Sequence, residues 1–213
     1  MTELRKTRMS TARRLARRAS YDRETVHAIL DAGLIAHVGH VVDGRPVVIP
    51  TAYWREGDHV YWHGSSKARM LRTLEAGAPA SLEVTLLDAL VVARSAFHKS
   101  VNFRSVVLFG TPFKVEDPDE KREKLRAFVE RVYPGRWDAL RPVTRQELKA
   151  TTVLGMAIDE GSAKVRTGGP VDDDADYALP IWAGTIPVRT VLGRPVDDGR
   201  LAPGTGRAPR VRL

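Results

Sequence analysis

A chain of 213 residues, 43% hydrophobic and 28% charged, can bury a sizeable core unaided and has the balance of an ordinary globular protein. It contains no cysteine, which excludes disulfides, thiolate metal sites and cysteine nucleophiles. The net charge of +8 sits at the ends: residues 1–23 hold eight Lys/Arg against Glu3 and Asp22, residues 194–213 hold five Arg against Asp197 and Asp198, and the remainder sums to −1, which argues against a basic nucleic-acid-binding face.

The first eighteen residues are basic without the apolar stretch of a signal peptide, and no run approaches the roughly 20 apolar residues of a membrane span. A cytoplasmic location and no membrane contact are expected. Residues 1–19 read as a basic arm. Arg5 to Arg18 has helix-forming composition but only Met9 and Leu15 to bury, so mobility is expected. The body is expected over 20–193, opening with a capping signal at Ser20-Tyr21-Asp22 and a short helix with Val26, Ile29 and Leu30 on one face. Leu34 to Val42 reads as a strand, and Asp43-Gly44 as a tight hairpin turn into Arg45 to Lys67, RPVVIPTAYWREGDHVYWHGSSK. That stretch predicts two strands joined at Glu56-Gly57-Asp58 and an exit loop before a helix from Ala68. Ser81 to Ala93 is too apolar for a surface strand and belongs near the centre of a sheet. A polar loop, Arg94 to Asn102, separates it from a strand over Arg104 to Val115 with a bend at Gly110. Helices are expected over Asp119 to Val132 and Thr144 to Ala150, then a strand pair at Val153 to Ile158 and Ala163 to Thr167. Tyr177 to Leu192 returns to the body, and 194–213 reads as a flexible tail. The pattern predicts a mainly β (α+β) fold, a small antiparallel barrel with peripheral helices.

The exit loop carries the chemistry. His63-Gly64-Ser65-Ser66-Lys67 combines a small residue that lets the backbone approach, two hydroxyl donors and one ammonium, a composition suited to an anion. A plain reading competes, in which Ser66 is a helix N-cap and Lys67 is solvated. The neighbouring VVIPTAY, with Val48, Ile49, Pro50 and Thr51, is flat and apolar and would lie against a planar ring, so ring and phosphate together suggest a flavin nucleotide. Arg94 and Ser95 on one side, and Asn102, Arg104 and Ser105 on the other, flank the polar loop. Arg94 could pair with a phosphate, and Arg104 or Ser105 could approach the ribityl chain or pyrimidine edge; arginines at strand ends are an equally good reading of each alone. Of the six histidines, His98 in that loop is the one placed to exchange a proton near neutral pH, and the spacing of the others supports no metal site.

PVVIPTAYW, HGSSKARML, LLDALVVARSAFHKSVNFRSVVLFG and LPIWAGTIPVR, in that order, resemble the pyridoxamine 5'-phosphate oxidase-like flavin-binding split barrels, in particular their Nim-type branch, over about Tyr21 to Asp197. The resemblance implies a homodimer of six-stranded split barrels with two FMN sites at the subunit interface. It also implies that Trp182 approaches the flavin of the other subunit. Ser66 and Lys67 match positions of the phosphate-holding Ser-Arg-Lys motif, with Ser66 where those enzymes carry Arg. The substrate-phosphate arginine and histidine cluster of the true oxidases has no counterpart around Trp182-Ala183-Gly184, so vitamin synthesis is not expected. An FMN-dependent oxidoreductase reducing a nitroaromatic- or quinone-like electrophile with NAD(P)H-derived electrons is the leading expectation. A flavin carrier or sensor, or a haem- or deazaflavin-binding split barrel, is the alternative.

Overall fold

The computed structural model describes residues 2–212. Asp22 caps the first helix by accepting the Thr25 amide at 2.8 Å, a bond that also holds its carboxyl below the usual carboxylate range. Ahead of that cap a two-residue strand, β1 (Ala19–Ser20), has already joined the sheet. Helix α1 (Arg23–Ala32) then buries Val26, Ile29 and Leu30. Strands β2 (Ile35–Val42) and β3 (Arg45–Glu56) form the expected hairpin, with both turn residues left-handed, Asp43 at φ 50° and Gly44 at φ 73°. That pair of angles matches the right-handed twist of the flanking strands, which is why Asp-Gly sits there. Next come β4 (His59–Ser65), α2 (Arg69–Glu75), β5 (Ala80–Val92), β6 (Ser100–Gly110) and the short β7 (Phe113–Lys114). Helices α3 (Pro118–Val132) and α4 (Arg145–Ala150) precede β8 (Thr151–Ala157), β9 (Glu160–Arg166) and β10 (Gly184–Pro187).

The strands all pair antiparallel, in the order β1-β9-β6-β5-β2-β3-β4-β8-β7, with β10 alongside β5, and the arm adds an isolated parallel bridge between Arg5 and Glu160. This is a split-barrel-like α+β fold whose sheet stays open. Ten strands stand where six were expected. The additions include Ala19–Ser20, Phe113–Lys114 and Gly184–Pro187, segments too short to show alternation in sequence. β5 is central as predicted, hydrogen-bonded to β2, β6 and β10. The polar loop closes three residues early, because β6 begins at Ser100.

The main core joins α1 and α2 to the inner sheet face through Val38, Tyr53, Trp62, Leu71, Leu82 and Leu108. A second cluster, Trp54, Tyr61, Val115 and Val153, lies beneath Leu125 and Phe128 of α3. The N-terminal arm packs on the body instead of moving freely. Leu4 and Ser10 are buried, the Tyr21 hydroxyl donates to Ser10 O, and Arg5 pairs with Asp159 and Glu160. Turns and one 3-10 turn at Ala16–Arg18 replace the helix that its composition suggested. The C-terminal tail is exposed coil whose Arg212 amide donates to Val132 O at 2.9 Å. No helix among the described residues is long and apolar enough to cross a membrane.

Candidate functional site

β3 changes character midway. Its second half buries Tyr53 and Trp54, whereas Val48 is 61% and Ile49 37% exposed, and Pro46 and Pro50 are also open to solvent. Cross-strand pairing sets Pro50 opposite His37, Val48 opposite Gly39 and Ala52 opposite Ile35, so one apolar face of β2 and β3 is uncovered. Prolines on both sides of Val48 remove backbone donors and keep the strand extended. A flat surface of this kind suits a planar ring.

His63 stands near the end of that surface. Its ring lies 4.9 Å from Phe128 and 5.9 Å from Trp54, its buried Nδ1 has no hydrogen-bond partner, and burial lowers its pKa. The imidazole is therefore held neutral. One turn on, the Ser65 hydroxyl accepts the Lys67 amide at 3.3 Å and Ser66 N donates to Ala150 O at 2.8 Å. The helix N-cap is Ala68 without a side-chain bond, so the plain reading of Ser66 as the cap fails. Among the described residues the Ser66 hydroxyl has no partner and Lys67 has no ion pair. Arg45 and Arg69, which sequence reasoning passed over, join Val42, Asp43 and Val47 around a neighbouring cavity of about 430 Å³. Their only sequence signal was a cation on either side of the anion loop's two supporting elements.

The second group lies elsewhere on the sheet. Arg94 follows the Glu83–His37 rung by eleven residues, about 35 Å of strand. Its guanidinium pairs at 3.0 Å with Asp172, whose side chain is fully buried, and lies 4.9 Å from the Tyr177 ring centre. Arg104 is held by Asp88 through two bonds of 2.8 and 3.0 Å. That carboxylate sits at the β5 bulge between Leu87 and Ala89, and the bond raises the Arg104 pKa. Ser95 accepts the His98 amide, and His98 Nε2 lies 3.4 Å from Asp173. The Asn102 amide donates to Gly168 O and its oxygen accepts from Arg166. The Ser105 hydroxyl donates to Lys164 O. Trp182, 64% exposed, lies over Gly184, where a Cβ would meet its ring at 3.1 Å. Val101, Leu90 and Ile186, directly opposed on three strands, add a further exposed apolar rung. The partners Asp88 and Asp172 were missed because nothing in sequence links a bulge carboxylate to position 104, or a Gly-Pro-Asp loop to position 94. No group of three or more His, Asp or Glu able to hold a metal ion occurs among the described residues.

Residues 22–165 match the family profile described as pyridoxamine 5'-phosphate oxidase. The chain is 48% identical to the flavocytochrome Anf3 from Azotobacter vinelandii, over 95% of this chain and 94% of that one, with a TM-score of 0.91. It is 42% identical to the FAD and haem binding protein from Mycobacterium smegmatis, over 90% and 94% of the two chains, with a TM-score of 0.86. A protein described as a 5-nitroimidazole antibiotic resistance protein, from Bacteroides thetaiotaomicron, shares the fold at 19% identity, over 69% and 86% of the chains, with a TM-score of 0.59. No curated protein matches the chain.

Proposed function

The chain belongs to the pyridoxamine 5'-phosphate oxidase family, and from that premise we propose that it is a redox flavoprotein that holds FAD and a haem. The observation that carries this reading is the identity of 48% and 42%, over at least nine-tenths of both chains, to a flavocytochrome and to an FAD and haem binding protein. Those relatives favour FAD over the FMN that the sequence motifs suggested. When bound, a flavin accepts two electrons as a hydride and returns them singly or together, and a haem iron carries one.

The residues fit both groups. The uncovered face of β2 and β3, with Val48 and Pro50, offers apolar contact to an isoalloxazine. The free Ser66 hydroxyl and the Lys67 ammonium supply donors and charge for a phosphate. For the haem iron the candidate ligand is His63, whose ring burial keeps neutral, the form that binds metal. His40, buried with an unpartnered Nδ1 as well, is the second candidate. His98, beside Asp173, is the group proposed to deliver a proton to a reduced acceptor.

A homodimer belongs to the same proposal. Trp182, Leu90, Val101 and Ile186 form an apolar face that a second copy would cover, bringing the His98 loop toward the partner's Val48 face. The acceptor is a small electrophile such as a quinone or nitroaromatic, with a reduced nicotinamide as donor.

Purified protein tests this directly. Absorption near ~450 nm together with a Soret band, release of FAD on denaturation, and elution at twice the chain mass are the expected results. Lys67→Ala is expected to retain about tenfold less flavin, the loss of one charge-assisted contact. Released FMN with no haem would return the protein to the simpler flavoprotein expectation. A colourless protein that takes up neither cofactor would end the proposal.

A further inference from the structure

A third cationic cluster adjoins the second group through Asn102, which accepts from Arg166. Arg17 and Arg18 leave the 3-10 turn at Ala16–Arg18, beside the end of β9. With Arg166, Val165, Thr167 and Gly169 they line a cavity of about 310 Å³. Arg166 is only 9% exposed, and no carboxylate pairs with it among the described residues. Its terminal nitrogens donate to the Asn102 side-chain oxygen and to the carbonyls of Gly168 and Gly169, and its buried Nε has no partner. Burial lowers its pKa, and the nearby Arg18 lowers it further. Neither Arg17 nor Arg18 forms an ion pair among the described residues.

Three guanidinium groups facing one space without a carboxylate repel one another. The Arg18 charge is near enough to act on Arg166, and such repulsion grows wherever water is thinned. Neutral oxygens accept from the terminal nitrogens of Arg166 but leave its Nε unpartnered and its charge uncompensated, which is a costly arrangement for a buried arginine. An entering oxyanion removes the repulsion and gives Nε an acceptor. The planar fork of a guanidinium fits two oxygens of a phosphoryl group, and two flexible arginines at the rim close over it. By contrast, the half-buried Arg94 has its counter-charge in the buried Asp172 and needs none.

We propose that Arg17, Arg18 and Arg166 form an oxyanion site that takes a phosphoryl group, either of a free phosphate ester or of the flavin's own diphosphate. In the second case the site rests on the flavin reading and takes over the phosphate role there given to Ser66 and Lys67. A chain that binds pyrophosphate but no flavin would overturn that reading and leave this one standing.

Calorimetric titration of the full chain, as purified, with inorganic pyrophosphate tests the first source. FAD and riboflavin dissociation constants, measured on flavin-stripped protein, test the second. The comparison protein is Arg17→Gln/Arg18→Gln, since Arg17 is exposed and Arg18 half-buried and both can be replaced without opening the core. Saturable pyrophosphate binding at one per chain, weakened at least ~10-fold in the double variant, establishes a free-ligand site. FAD affinity that falls ~10-fold in the double variant while riboflavin affinity is unchanged assigns the site to the flavin diphosphate. Arg166→Lys, which keeps the charge and loses the fork, is expected to weaken the same ligand by a smaller factor. Pyrophosphate and FAD affinities that are the same in wild type and double variant would overturn the proposal.

Discussion

The two halves of β3 are one strand with two occupations. From Tyr53 onward the strand is core: Tyr53, Trp54 and the facing Trp62 are buried, and the Tyr53 hydroxyl donates to Leu30 O. From Arg45 to Thr51 the same strand leaves Val48 and Ile49 open to solvent. Composition separates them in kind, β-branched residues and prolines in the first half and aromatics in the second, but both compositions are apolar and favour strand, so neither says which half is covered. What separates them is cover: α1 and α3 contact β3, where Tyr53 and Trp54 are buried, whereas among the described residues Val48 and Ile49 stay open to solvent. Uncovered apolar strand is unfavourable in water, and in the proposed function a flavin or a second copy supplies the missing layer, while the buried half holds the fold.

The comparison breaks most readily at its buried end. Trp62→Ala is expected to destabilise by about 3–5 kcal/mol, the range for emptying a fully buried aromatic site. Urea unfolding should show a lower midpoint at unchanged slope; a loss below ~1 kcal/mol would mean that this half is not the anchor. Tyr53→Phe should lower stability by about 1 kcal/mol, toward the low end of the range, because Leu30 O keeps a bond from Arg131 at 3.2 Å. Burial drives the Tyr53 phenol well above its usual pKa, so the variant should also remove any stability change tied to that ionisation at high pH.

A pH titration sharpens the boundary between the halves, where His63 stands. Burial lowers the His63 pKa, and burial followed by Arg55 lowers that of His27. The unfolded chain thus binds protons at pH values where the folded chain still resists them. Stability should be full above about pH 6.5 and fall as pH drops below it toward the folded-state pKa values. In the cofactor-free protein, His63→Leu should flatten part of that slope; an unchanged slope would place the acid sensitivity at His27.

Much of this organisation was legible in sequence. Asp43-Gly44, the Asp22 cap and the apolar run that became β5 announce themselves through local rules, and each sits where those rules put it, whereas the exit loop expected over His63 to Lys67 is shorter, because β4 runs on to Ser65. The N-terminal arm was not legible, because Leu4 and Ser10 are held by contacts with Tyr21, Asp159 and Glu160, and isolated apolar residues in a basic stretch give no periodic signal. The cationic sites divide the same way. Lys67 stood out through its neighbours Gly64 to Ser66, whereas Arg94 and Arg104 could be told from free arginines only once Asp172 and Asp88 were seen beside them. Sequence finds a cation readily, but its counter-charge is fixed by topology.

The exposed half of β3 gives the smallest expected change in stability and the most direct test of its occupation. Val48→Glu places a carboxylate on an open strand face opposite Gly39, where it displaces no packed neighbour. The reduced β-propensity should lower stability by less than about 1 kcal/mol. The same carboxylate would have to be desolvated if a flavin ring or a second copy covered that face, so the variant should lose flavin, dimer or both while unfolding at nearly the wild-type urea concentration. Absorbance at the flavin band and light scattering separate the two losses. Loss of flavin with the dimer intact assigns the face to the ring, and loss of the dimer with flavin retained assigns it to the partner. A variant that unfolds far below wild type would show that the first half of β3 also carries the fold, and the contrast between the halves would then be one of exposure alone.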